Sequence, residues 1–361
     1  PPETSPGSIG GPISSFQILR QHLAQTYDVK GVDLSMGRVP GEVDVLVVVS
    51  PRQFTDRDRF AVDQFLMRGG SVVVASGNYV LSPLQFGGAP VVEPVLDGLR
   101  TMLASYGVLV RDGIIMDLQN TTLPIQVQRN VGGFNVVEVE EINYPPFVDV
   151  RRNGMAQESS IVSNVPSLTL YWVSPLEIDP GKNRRREVVM LLQSSEDAWL
   201  RTSTDLEPNL ETYPDVGFPI EGQQKAWDLG VSIRGSFESF FKDRTSPFEN
   251  GAQLEKEQIS QNVPVSGKIV VSPKRSRLVV IGSSEFLTDA MLSLSRSQSA
   301  DRYLLNLQLV QNSIDWAVED EDLLSIRSQG DYARLLRPMD EGEQRFWEAV
   351  NYAVAIFVIM V

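Results

Sequence analysis

The sequence is 361 residues long, enough for two packed domains of the usual ~100–200 residues, and its 42% apolar and 22% charged residues set it apart from disordered chains. Its 46 acidic residues against 32 basic ones leave a formal charge of −14, which repels phosphate backbones and anionic headgroups and argues against nucleic acid as a partner. There is no cysteine, so disulfides, thiolate nucleophiles and cysteine-held metals are excluded, and His22 is the single imidazole a serine-type triad could use.

Residues 1–12 are largely Pro, Gly and Ser and read as a linker, without the basic and then apolar regions of a signal peptide. Ile13, Phe16, Leu19, Leu23 and Tyr27 recur at helical spacing and predict an amphipathic helix over 13–27, with His22 on its flank. A strand is predicted over 29–34, then a buried apolar strand over 43–50. A helix over 55–68 follows, capped by Thr55 with Asp58 three residues on, closed by Gly69-Gly70 and leading into a strand over 71–76. Apolar strands separated by amphipathic helices predict a parallel sheet covered on both faces. A further helix is predicted over 92–106, passing through Gly107 into strands over 108–110 and 114–116 that end at Asp117.

From 120 to 150 the texture is loop-rich. Gly132-Gly133 precedes a strand over 136–142, in which Glu138, Glu140 and Glu141 alternate with valines as a solvent edge, and Tyr144-Pro145-Pro146-Phe147 breaks the pattern. A subdomain boundary or insertion is expected here. The second half predicts strands over 168–173, 187–192, 229–234, 268–272 and 278–282 and a helix over 303–318, with polar loops over 201–224 and 242–261. More strands per helix implies a mixed sheet. Arg184-Arg185-Arg186, after the turn Asp179-Pro180-Gly181, reads as a solvated run, and Glu319-Asp320-Glu321-Asp322 as a solvated turn. Residues 349–361 carry no charge and have Asn351 as their one strongly polar side chain, with Phe346, Trp347 and Tyr352 as interfacial aromatics. They read as the start of a transmembrane helix, which needs about 20 apolar residues, against the alternative of a C-terminal core helix. The expected division is a linker over 1–12, an α/β domain over 13–118, a second mixed α/β region over 119–328, a juxtamembrane segment over 329–348 and the membrane helix start over 349–361.

No string matches the phosphate-binding pattern Gly-x-x-x-x-Gly-Lys-Ser/Thr, and neither Gly7–Gly11 nor Gly132-Gly133 stands between an apolar strand and a helix start, as a dinucleotide fingerprint requires. No catalytic residue, metal or cofactor is assigned. Open α/β sheets bind ligands beyond the C-terminal ends of their strands. That rule selects Ser50, Pro51, Ser76, Gly77, Asn78, Asp117, Ser283, Ser284 and Glu285 as candidate ligand- or partner-binding positions, although small residues there also make tight turns. Tyr79 and Phe86, after the second strand, are aromatics that a receptor could use.

Several strings coincide with one pattern. They are Val43-Asp44-Val45-Leu46-Val47-Val48-Val49-Ser50-Pro51, Phe65-Leu66-Met67-Arg68-Gly69-Gly70, Gly282-Ser283-Ser284-Glu285-Phe286 and Asn312-Ser313-Ile314-Asp315-Trp316, closed by Glu321-Asp322-Leu323-Leu324-Ser325-Ile326-Arg327. With Ile233-Arg234-Gly235-Ser236-Phe237 between them, their order and spacing over 13–330 resemble the auxiliary component of gliding-motility-type ABC transporters. The resemblance implies an open, mostly parallel α/β sheet similar to class I glutamine-amidotransferase and flavodoxin-like folds. It implies a domain on the periplasmic side of a bacterial inner membrane, anchored by a C-terminal helix and assembled with a permease and a separate ATPase. Related domains in intraflagellar transport proteins imply a scaffold role. The family tends toward Gly-Asp-Ser-Asp-Phe where this chain has Gly282-Ser283-Ser284-Glu285-Phe286, and the Cys and His of amidotransferases cannot be placed. The rival readings are a receptor that delivers a small molecule or glycan to a permease, and a carboxylate-dependent hydrolase with two acids facing across a cleft.

Overall fold

Valine-rich strands form part of the central sheet of the computed structural model, which describes residues 16–51, 54–82, 91–95, 98–131, 134–248, 267–299 and 302–318. Its first elements are α1 (Gln17–Leu23), β1 (Val45–Val49), α2 (Asp56–Met67), β2 (Ser71–Ala75), β3 (Tyr79–Leu81), β4 (Val92–Pro94), α3 (Leu99–Tyr106), β5 (Val108–Val110) and β6 (Ile114–Met116). Then come β7 (Asn120–Val131), β8 (Phe134–Arg151), β9 (Ser167–Tyr171), β10 (Leu176–Ile178), α4 (Pro180–Asn183), β11 (Glu187–Gln193) and β12 (Trp199–Arg201). The last are β13 (Asp228–Arg234), β14 (Arg277–Ile281), α5 (Asp289–Gln298) and α6 (Arg302–Ala317). All belong to a unit spanning 1–329; a second unit, 330–361, lies outside the described residues.

The central sheet runs β1-β2-β14-β13-β11. β2 and β14 are buried along their whole length, which is why they read as continuous apolar runs. Successive side chains point to opposite faces. Val73, Ala75, Val279 and Ile281 therefore enter one core with residues of α1, α5 and α6, while Val72, Val74, Leu278 and Val280 enter the other with residues of α2 and α3. The α2 start follows its sequence signature: Thr55 Oγ1 accepts from Asp58 N at 3.3 Å and Asp58 Oδ2 accepts from Thr55 N at 2.8 Å.

Several expectations are corrected. The sheet is mixed rather than mostly parallel: β1/β2 and β2/β14 are parallel, whereas β14/β13 and β13/β11 are antiparallel. Among the described residues no helix separates β11, β13 and β14, and strands without a crossover helix pair antiparallel. The sheet also takes strands from both sides of the expected 118/119 boundary. Residues 29–34 form no strand. The helix expected over 92–106 begins only at Leu99, after Gly98 at φ +73°, and Val92–Pro94 pairs instead with β3. Residues 268–272 make a single bridge, Glu238 with Val271. β8 runs straight through Pro145-Pro146, because a proline keeps its acceptor: Pro145 O takes Asp117 N and Pro146 O takes Trp172 N, both at 3.0 Å. Among the described residues no helix is long and apolar enough to cross a membrane, and the segments 329–348 and 349–361 lie outside them.

Candidate functional site

Because β1, β2 and β14 are parallel neighbours, their C-terminal ends lie side by side. This brings Ser50, Pro51, Ser76, Gly77, Asn78, Ser283, Ser284 and Glu285 to one edge of the sheet. Ser50 N donates to Ala75 O and Ser76 N to Ile281 O, both at 3.1 Å. The segment after β9 closes over this edge: Ser174 N donates to Gly282 O at 2.8 Å, Asn78 N to Ser174 Oγ at 3.0 Å, and Ser283 Oγ to Tyr171 O at 2.7 Å. Asn78 Nδ2 reaches Arg111 O at 2.5 Å. Asn78, Ser283, Ser284 and Glu285 are each at most 2% exposed. A Cβ added at Gly77 would lie 2.6 Å from Gly282 O, so the small residues serve close approach of backbones. Ser50 (φ 39°) and Trp172 (φ 47°) hold left-handed conformations where the chain turns out of its strands.

Asp117 does not join this edge. It follows β6, which pairs with β12 in a separate sheet. Its carboxylate accepts from Ser195 N at 2.8 Å, Ser195 Oγ at 2.5 Å and Gln119 N at 2.8 Å, fastening the 194–197 turn. Burial pushes this carboxyl above the usual range, against the pull of those donors. Tyr79 packs in the core, and Phe86 lies outside the described residues. His22 stands half-buried on the α1 flank, its Nε2 3.3 Å from Gln311 Oε1 on α6. Arg184 and Arg185 are exposed as expected, but Arg186 folds inward over the Phe237 ring at 4.2 Å and donates to Ser236 O at 2.8 Å.

A second region was not singled out in the sequence. A groove of about 430 Å³ is lined by α3 (Thr101, Ala104, Ser105), Lys182 and the turn Glu238–Arg244. Its cations are already engaged: Lys182 Nζ caps Ala104 O at 2.9 Å, Lys242 pairs with Glu238 at 3.0 Å, and Arg244 covers the Phe240 ring at 4.0 Å. Behind it, the fully buried Asp63 accepts from Tyr106 Oη, Ser239 Oγ and Phe240 N at 2.7 Å each and from Gln64 Nε2 at 2.9 Å. Such an arrangement ties α2, α3 and the 237–241 turn together. Among the described residues no group of three or more His, Asp or Glu could hold a metal ion.

The fold is thus a two-faced mixed α/β body in which the strand-end Asn78 Nδ2 and Ser283 Oγ bind backbone carbonyls of neighbouring segments. Over residues 4–317 the sequence matches the family described as "ABC-type uncharacterized transport system", and the chain belongs to that family. A curated relative, an uncharacterized protein of Borreliella burgdorferi, is 21% identical over 314 residues, covering 85% of this chain and 52% of that protein. The chain thus spans about half the length of the curated relative it matches. Among solved structures, the mmIFT52 N-terminal domain is similar with a TM-score of 0.43 and 12% identity, over 86% of this chain and 93% of that one.

Proposed function

We propose that this chain is a non-catalytic auxiliary subunit of an ABC transport system, an assembly body working beside a separate permease and ATPase. Family membership across residues 4–317 carries the reading. The geometry supports it in two ways. The strand-end polar side chains that would form an α/β ligand site are buried, Asn78 Nδ2 and Ser283 Oγ donating to backbone carbonyls, and Lys182, Lys242 and Arg244 of the α3 groove have internal partners. A receptor for a small molecule or glycan would want open strand ends and accessible aromatics, and Tyr79 is instead a core residue. In this reading the folded part stands on the periplasmic side of a bacterial inner membrane, with 329–348 as the juxtamembrane segment and 349–361 opening the anchor.

The test is affinity isolation of the full-length protein from detergent-solubilised native membranes, followed by identification of the attached subunits. A permease and an ATPase are expected. Recovery in the soluble fraction without detergent, and without either subunit, overturns the reading.

A further inference from the structure

The β7–β8 ribbon is much longer than the sheet that roots it. β9 pairs with β8 only from Phe147↔Tyr171 to Arg151↔Ser167, and then Trp172 turns the chain away. Beyond that point, from Thr122↔Asn143 to Val131↔Phe134, the two strands pair with each other and, among the described residues, with no other strand. At about 3.4 Å per residue this distal part extends roughly 30 Å. Among the described side chains, Leu123 is the last on β7 packed against the core, and Ile142 is the last buried on β8 before its tip. A two-stranded ribbon alone in water is marginally stable, so one this long is a feature in search of a third strand.

We infer that the distal ribbon is a docking arm, and that an extended basic segment of a partner subunit adds as a strand along the outer edge of β8. This rests on the assembly reading above and names the element that performs it. Three observations favour that occupant. The β8 edge over 134–143 lies in line with β9, and among the described residues no strand lies beyond it, so an added strand would continue the β7-β8-β9 sheet. The other edge belongs to β7 and carries Pro124, which lacks a donor. Finally, Val136 (42% exposed) and Val139 (68% exposed) stand among the exposed Glu138, Glu140 and Glu141. By strand alternation Val136, Glu138 and Glu140 share one face, and Val139 and Glu141 the other. Each face therefore presents aliphatic surface beside negative charge, the complement of a strand that alternates Lys or Arg with apolar residues. Segment 120–143 holds three glutamates against one arginine, Arg129, and the whole chain carries −14, so a second copy would meet like charge.

The experiment places a photo-crosslinking amino acid at Val139 in the full-length protein within native membranes and maps the joined peptide by mass spectrometry. In parallel, the charge-reversed variant Glu138→Lys/Glu140→Lys/Glu141→Lys is isolated, its melting temperature confirming that it folds. The expected result is a crosslink to a Lys- or Arg-bearing extended segment of a transporter subunit, with recovery of that subunit reduced about tenfold or more in the variant. Three outcomes overturn the arm while leaving the assembly reading standing, provided transporter subunits still co-purify: a crosslink to a second copy, a crosslink to a protein outside the transporter, or undiminished recovery in the variant. If the wild-type protein brings down no transporter subunit, the assembly reading fails and the arm fails with it.

Discussion

Asp63 lies on the inner side of α2 between Val62 and Leu66, where four donors converge on its carboxylate. Removing the acceptor strands Tyr106 Oη, Ser239 Oγ and Phe240 N in the interior, so Asp63→Ala is expected to cost about 3 kcal/mol in denaturant unfolding. The carboxyl is held above its usual range because burial outweighs the donors. A raised carboxyl binds its proton more tightly folded than unfolded. The associated stability is complete below the unfolded value of about 4 and is lost as pH rises through the folded value. The melting-temperature advantage of wild type over Asp63→Asn is therefore expected to shrink as pH rises above about 4, and a constant or widening gap would count against this account of the site. Nothing local announced this residue, since an aspartate in an amphipathic helix reads as solvated, and Tyr106 and Ser239 lie 43 and 176 positions away. Trp316, at helical spacing from Leu305 and Leu309, packs against the core while staying half-buried, with the Arg277 guanidinium 5.0 Å from its ring centre. Trp316→Ala is accordingly expected to cost about 2 kcal/mol, below the ~3–5 of a fully buried tryptophan.

At the level of elements, legibility followed how local the determining physics was. The α2 cap needs only Thr55 and Asp58, and β1 and β2 declare themselves by unbroken valines; all three lie where the pattern puts them. Val92–Pro94 has apolar positions compatible with a helix, and only its pairing with Tyr79–Leu81 makes it a strand. α5, rich in serine, has no counterpart among the elements expected from the sequence; its start is fixed by Thr288, whose hydroxyl accepts from Met291 N at 3.4 Å. The ribbon was half seen. The solvent edge at Glu138, Glu140 and Glu141 was legible in the alternation, while its continuation through Pro145-Pro146 depended on acceptors used by Asp117 and Trp172. Since no described side chain of 125–140 belongs to either core, replacing 125–140 by a two-residue Asn-Gly turn is expected to change unfolding free energy by less than about 1 kcal/mol in urea titration. A larger loss would mean that the arm buttresses the body.

For the whole molecule, the scattered strings that resemble the transporter auxiliary component were the most informative signal, and family membership over 4–317 agrees with them. The candidate site was legible only as a place. The strand-end residues other than Asp117 lie together at one sheet edge, but their burial comes from the segment 172–174 folding over them, which no pattern in the sequence encodes. The missing phosphate-binding string leads to a further expectation: calorimetric titration of the isolated chain with ATP should give no binding heat, and micromolar affinity would contradict the non-catalytic reading. The most direct test is blue-native electrophoresis of the full-length protein from native membranes of cells with and without the permease. The expected result is a high-mass band that collapses to a smaller species when the permease is removed. An unchanged band in both would contradict the claim that this chain works as part of a transport assembly.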